Sequence, residues 1–334
     1  MEYDVVVIGG GAAGLAAGMM SARSRRRVVV VDAGEPRNAP ATHIHGFLSR
    51  DGVSPAELFE TGRAEVVGYG GEVINDRVLA IEHDAENGFV VRLADGPGLS
   101  TRGVVVATGL RDELPEVAGV RERWGNDVVH CPYCHGYEVR DSPIGVLGGD
   151  NRPFTLHQAS LVRQWSSDVV FFPNQITLDA EERERLIARG IRIADGDVVR
   201  VVVDGDRLSG VELADGQVIA RSAVFVGPRF VPHDDLLTAL GCEVGENGWV
   251  VTDAMGRTSV PGVWAAGNVV AEGAQVINAA GAGSLAAVAL NHYLLAQDVE
   301  QAVRDHRAVG GVFSAEMEQR VSELVVGDRR HGLL

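Results

Sequence analysis

The chain has 334 residues, 46% of them hydrophobic, which is length and apolar content enough for two separate cores. A formal charge of -16 and a pI near 5.0 exclude nucleic-acid backbones and anionic membranes as partners, because both recruit clustered Lys and Arg. Glycine, at 42 residues, is about twice as frequent as usual, as expected of a chain that brings backbone close to ligands at several turns.

The start, Met1-Glu2-Tyr3-Asp4, is acidic and lacks the basic-then-apolar order of a secretory signal. No apolar run approaches the roughly 20 residues of a bilayer-crossing helix, so a cytoplasmic protein is expected. Residues 3–8 form a β-branched apolar run of strand length. Gly9-Gly10-Gly11-Ala12-Ala13-Gly14 follows, then an alanine-rich helical stretch to about Ala22. This is the order of a dinucleotide-binding turn. Gly9 allows the tight turn, Gly11 lets backbone approach a pyrophosphate, and Gly14 lets the helix pack on the strand, while the helix N-terminus favours the anion. The strand over 28–31 ends at Asp32, whose carboxylate can accept from ribose hydroxyls. The turn alone does not separate NAD from FAD. Two later segments bear on that choice: Val104-Val105-Val106-Ala107-Thr108-Gly109, and residues 258–268, which end in Gly267-Asn268.

Between them lies His130-Cys131-Pro132-Tyr133-Cys134-His135. Two intervening residues let the cysteines approach closely enough for a disulfide, and Pro132 stiffens the loop. Exchange at such a pair needs a thiolate, which helix N-termini and cationic imidazoles favour. Residues 131–135 also match the C-x-x-C-H pattern of c-type haem attachment. A zinc site would want four Cys or His ligands, yet the third cysteine, Cys242, stands alone and reads as a small buried hydrophobe. A purely structural disulfide would be unusual in a reducing compartment. Beyond residue 298, Met317, Val321, Leu324 and Val325 recur at helical spacing with Ser314 as candidate N-cap, which reads as a packed helix.

With these segments in view the chain resembles the low-molecular-weight thioredoxin reductase family of flavoproteins from residue 3 to about residue 296. The resemblance implies two doubly wound Rossmann-like α/β domains. One is a discontinuous FAD domain (1–112 and 249–334, with a helical tail 299–334), and the other is an inserted NAD(P)-type domain (113–248) carrying the cysteine pair. Gly109 to Pro115 and Gly245 to Gly248 are the expected crossings. Ala107, Thr108 and Gly109 match the second flavin motif; Gly267 and Asn268 match a late motif that normally ends in Gly-Asp, with the Asp position on the flavin ribitol. Gln275 and Val276 are expected beside the flavin ring, which His45 is also expected to approach. A homodimer is the family's usual state.

The inserted domain departs from the family's pattern for NADPH. After residues 144–147 the phosphate turn reads Gly148-Gly149-Asp150-Asn151-Arg152-Pro153-Phe154 before a helix expected over 156–165, a poor pyrophosphate cradle. After the strand 168–172, Pro173-Asn174-Gln175-Ile176 replaces the basic cluster that grips a 2'-phosphate. Arg183 and Arg185 sit among Glu181, Glu182 and Glu184 as a solvated helix face, so NADPH use is doubtful unless Arg152 or Arg163 substitutes.

Residues 130–138, 32–38, 45–47 and 274–276 are similar to the branch containing the gliotoxin and holomycin dithiol oxidases. That similarity implies that Cys134 lies nearest the flavin, that Cys131 exchanges with substrate, and that His135 replaces the family's acid-base Asp. His130 is then a positioning or core residue. The implied partner is a small-molecule dithiol, or else a thioredoxin-like protein. The implied route runs from substrate thiol to the disulfide, to FAD, and to oxygen with hydrogen peroxide as product. A reductase driven by NADPH or ferredoxin, and a flavin-bound redox sensor, are the competing readings.

Overall fold

The computed structural model describes residues 2–84, 88–310 and 315–328. The β-branched run at the start forms the strand Tyr3–Ile8, paired in parallel with Val28–Asp32 on one side and Leu99–Val106 on the other. Glu72–Asn75 extends the sheet beyond Val28–Asp32, Val263–Ala265 pairs with the end of Leu99–Val106, and an antiparallel pair, Gly88–Leu93 and Val78–Asp84, completes seven strands.

Because strand side chains alternate, each valine run feeds two cores. Val5, Val7, Val28, Val30 and Val105 face one layer, formed by the helices Ala12–Arg23, Pro55–Gly68 and Val276–Gly310; Val6, Ile8, Val29, Val31, Val104 and Val106 face the other. The second unit repeats the scheme with five parallel strands, in the spatial order Arg192–Ile193, Val169–Phe172, Ile144–Leu147, Ala223–Val226 and Val128–Val129. Phe172 and Leu147 point into one of its cores and Phe171 and Val146 into the other. The fold is therefore α/β, with two doubly wound sheets, the second all-parallel and the first parallel except for its antiparallel pair.

The return crossing lies earlier than the sequence suggests. Leu110–Glu113 pairs antiparallel with Arg229–Pro232, and these two strands carry the chain out and back. Leu237, Cys242 and Val250 are already buried with Val6 and Val104 in a core of the first sheet, so the inserted unit ends near residue 228. Gly245 and Gly248, expected as the crossing, instead close a turn in which the Gly245 amide donates to the Trp249 carbonyl. Glycine content drew the boundary to this turn, whereas the crossing itself is a strand with no breaker signal.

The helix Val276–Gly310 amends the expectation that no segment could span a bilayer, since by length and composition residues 276–308 would do so. Ala279, Ala286, Ala287, Leu290 and Leu294 on this helix are buried in the first unit's core, which accounts for one apolar face, while Leu285, Leu295 and Val299 are exposed. Gly283 lets the backbones of this helix and Ala12–Arg23 touch: a Cβ there would stand 1.9 Å from the Ala13 carbonyl oxygen. The tail helix is Ala315–Asp328, but Met317 and Val321 are exposed rather than packed. Ser314, the expected cap, lies outside the described residues.

Candidate active site

The first glycine turn is built for an anion. Gly9 has φ of +105°, Gly14 approaches so closely that a Cβ would meet the Gly9 oxygen at 1.7 Å, and a Cβ on Gly11 would meet nothing within 4 Å. The space at Gly11 and the absence of a side-chain cap on the helix beginning at Ala12 leave the first helical amides available to a pyrophosphate. These residues fit FAD. Asp32 is more committed than the sequence suggests. One of its oxygens accepts from the amides of Gly10 (3.2 Å) and Gly34 (3.1 Å), and the other accepts from Arg63 Nη2 at 2.9 Å. A carboxylate has about four acceptor sites, so little capacity is left for ribose hydroxyls. Gly10 is needed because a Cβ there would stand 2.3 Å from the Asp32 carboxyl.

Asn268 lines the cavity and also braces the chain around it. Its amide Nδ2 donates to the carbonyls of Ala271 (3.0 Å), Glu272 (3.3 Å) and Ala274 (3.0 Å), which an aspartate could not do. The asparagine therefore ties down the turn before the long helix, while its Oδ1 accepts from Arg37 Nη1 at 3.4 Å and keeps one lone pair for a ligand. Thr108 Oγ1 donates to the His233 carbonyl at 2.6 Å, fixing the Ala107-Thr108-Gly109 turn to the return crossing.

Cys131 precedes a one-turn helix, Pro132–His135, and the backbone amides of Cys134 and His135 both donate to its carbonyl at 3.1 Å. The turn folds the chain back, so Cys131 and Cys134 are disulfide-bonded with Cα atoms 5.2 Å apart, inside the ordinary range. Gly136 permits the turn to sit on Trp165, since a Cβ would lie 2.8 Å from the indole. The Tyr133 ring meets the same indole edge-on at 5.8 Å and is otherwise exposed. From the helix Arg152–Val162, buried Gln158 donates to the carbonyls of His130 (2.5 Å) and Val226 (3.1 Å), anchoring the motif to the parallel sheet.

Four polar side chains surround this turn. His135 is partly buried, and its Nδ1 has no hydrogen-bond partner among the described residues. Burial pushes its pKa below the ordinary 6.5, while the nearby Glu138 carboxylate opposes the shift. His45 bridges toward the same carboxylate, with Nε2 3.6 Å from Glu138 Oε1 and Nδ1 3.5 Å from Asp51. His130 lies behind the motif, stacked on Trp124 at 5.6 Å and edge-on to Phe230 at 6.0 Å. Burial, with the Arg37 charge adding to it, pushes His130 down to about 3.

The shift at His130 has a consequence for stability. The fold holds this ring neutral, whereas the unfolded chain protonates it near 6.5. Its contribution is thus fully present above pH 6.5 and is lost as pH falls toward 3, at about 1.4 kcal/mol per pH unit. Urea midpoints at pH 7 and 5 should fall more for the native chain than for His130→Gln; equal falls would show that this ring is not held neutral.

The predicted cofactor residues Gly9, Gly11, Ala13, Asp32, His45, Ala107, Thr108, Gly109, Gly267, Asn268, Gln275 and Val276 line one cavity of about 820 Å³ together with Cys131, Cys134 and His135. Gly14 does not line it and packs behind the turn. Ala13 does, but its backbone also forms the close contact with Gly283. Sequence reasoning gave no role to Arg37, Arg63, Gln158, Trp124 or Glu138. Of these, Gln158 carried a weak signal, a polar residue on the buried face of a helix.

The cavity thus joins a dinucleotide turn to a disulfide across two units, and comparison with known proteins agrees with this arrangement. Residues 3–283 match the pyridine nucleotide-disulphide oxidoreductase family. The crystal structure of HlmI is 59% identical, with a TM-score of 0.88 over 92% of this chain and 97% of that one. Thioredoxin reductase sirT of Leptosphaeria maculans is 31% identical over 89% of this chain and 96% of its own length. Thioredoxin reductase tcpT of Claviceps purpurea is likewise 31% identical, over 88% and 94%. The chain belongs to the pyridine nucleotide-disulphide oxidoreductases as a thioredoxin reductase-like, FAD-dependent disulfide oxidoreductase.

Proposed function

We propose that this enzyme is a dithiol oxidase that closes a disulfide in a small-molecule dithiol, with oxygen as acceptor and hydrogen peroxide as product. The observation that carries the reading is the pairing of an open first nucleotide turn, facing the disulfide, with an obstructed second one. The helix after Gly148-Gly149 starts at Arg152, four residues earlier than expected, because Asn151 caps it and Pro153 fits its first turn. Phe154 packs edge-on to Phe230 at 5.7 Å, and Arg152 is engaged by Glu182 at 2.6 Å. The acidic helix Ala180–Ala188 likewise spends its arginines internally, Arg185 on Glu181 and Arg183 on Asp195. No cation of this set is left over for a 2'-phosphate.

In this reading a substrate thiolate opens the Cys131–Cys134 bond at Cys131, giving a mixed disulfide and a Cys134 thiolate; the second substrate thiol then displaces Cys131. His135, neutral and partly buried, accepts the thiol proton. FAD, when bound at the glycine turn, Ala107 to Gly109 and Gly267 to Asn268, supplies the two-electron acceptor for the reduced cysteine pair. Overall, one dithiol and one O2 give one disulfide and one H2O2. A homodimer and a cytoplasmic setting belong to the same reading.

The relatives named thioredoxin reductases favour a second reading, a reductase fed by NADPH with a thioredoxin-like partner. Oxygen uptake with a dithiol and no nicotinamide, matched one to one by disulfide formed, is the expected result. Rapid anaerobic bleaching of the flavin by NADPH would overturn the oxidase reading.

A further inference from the structure

The side chain of Arg37 meets four separate parts of the chain at once. Nε and Nη2 grip Asp112 in a two-bonded fork at 2.8 and 2.7 Å, and the Asp112 side chain is only 7% exposed. Nη2 also lies 3.3 Å from His130 Nε2, next to Cys131, and Nη1 lies 3.4 Å from Asn268 Oδ1 in the late flavin motif. The guanidinium carbon sits 5.3 Å from the centre of the Phe230 ring.

Asp112 and Phe230 belong to the two strands, Leu110–Glu113 and Arg229–Pro232, that join the units and face each other as register partners. The remaining contacts reach one residue from each unit. A two-stranded crossing is a natural hinge, and a redox pair facing a cofactor tolerates little angular error. A planar fork with five donors can hold these directions together, which a lysine ammonium on a flexible stem cannot.

We propose that Arg37 is a positioning residue that locks the inserted unit in the orientation holding the Cys131–Cys134 pair against the flavin side of the cavity. The inference rests on FAD occupying that cavity, but its mechanical part concerns the chain alone. Loss of the fork frees Asp112 and Asn268, lets the crossing strands flex, and slows transfer of electrons out of the dithiol without altering the chemistry at either end.

The test compares native protein with Arg37→Lys and with Asp112→Asn, which breaks the same fork from its other side. In FAD-free protein, hydrogen exchange should rise at residues 110–113, 229–232 and 128–131 in both variants. In FAD-loaded protein, anaerobic flavin bleaching by dithiothreitol should slow by about tenfold or more, on the scale expected for a misplaced reacting group, whereas bleaching by dithionite, which bypasses the disulfide, should keep its native rate. Unchanged exchange at all three segments overturns the proposal, as does equal slowing with both reductants. If native protein itself is not bleached by the dithiol while the exchange result holds, the oxidase reading fails and the clamp stands.

Discussion

Cys134→Ser is expected to abolish dithiol turnover, by about a thousandfold or more, while FAD content and reduction by dithionite stay at native levels. The hydroxyl cannot form the cystine that Cys131 and Cys134 make across 5.2 Å of Cα separation, so neither a mixed disulfide nor a returning thiolate can arise. Cys131→Ser should fail equally, and the double variant should be no worse than either single one, because the two sulfurs act as a unit. The measurement is steady-state disulfide formation from a dithiol, with the flavin spectrum recorded on the same samples. Turnover surviving undiminished in either variant would remove the cysteine pair from the reaction.

His135→Asn should lower kcat/KM by about 10² to 10⁴, the usual contribution of a positioned base. The pH profile separates this role from a structural one. The neutral imidazole is the active form, and burial holds its pKa below 6.5, so native activity should persist down to pH values where a free imidazole is already charged. The acid limb should lie below pH 6.5 and vanish in His135→Asn. Glu138→Gln removes the carboxylate that opposes the shift, so it should move the limb to still lower pH. A limb unchanged in His135→Asn would mean that another group is the base.

Much of the fold was legible because its determinants are local. The valine runs at 5–7, 28–31 and 104–106 are too short and too β-branched for helices, and the glycine pattern after Ile8 specifies the turn by itself. The cysteine pair was legible for the same reason, its bridge being closed within one helical turn. The return crossing was not, because Arg229–Pro232 is recognisable only by its partner, Leu110–Glu113, more than a hundred residues away in the chain. The polar setting of the site was hidden for a related cause. Arg37 gains its meaning from Asp112, His130 and Asn268, and Glu138 from His45, none of which is near it in a periodic pattern. Asp32 and Asn268 show the converse limit: their positions were evident, but the amides and carbonyls that occupy their polar atoms depend on tertiary closure.

The third cysteine has a practical bearing on all of these measurements. Cys242 is 6% exposed within an apolar core, and burial raises its pKa. A water-soluble maleimide applied to folded protein will therefore pass over it and report on the other two alone. Label uptake per chain becomes a direct gauge of how far the working couple has been reduced, read by mass without any chromophore.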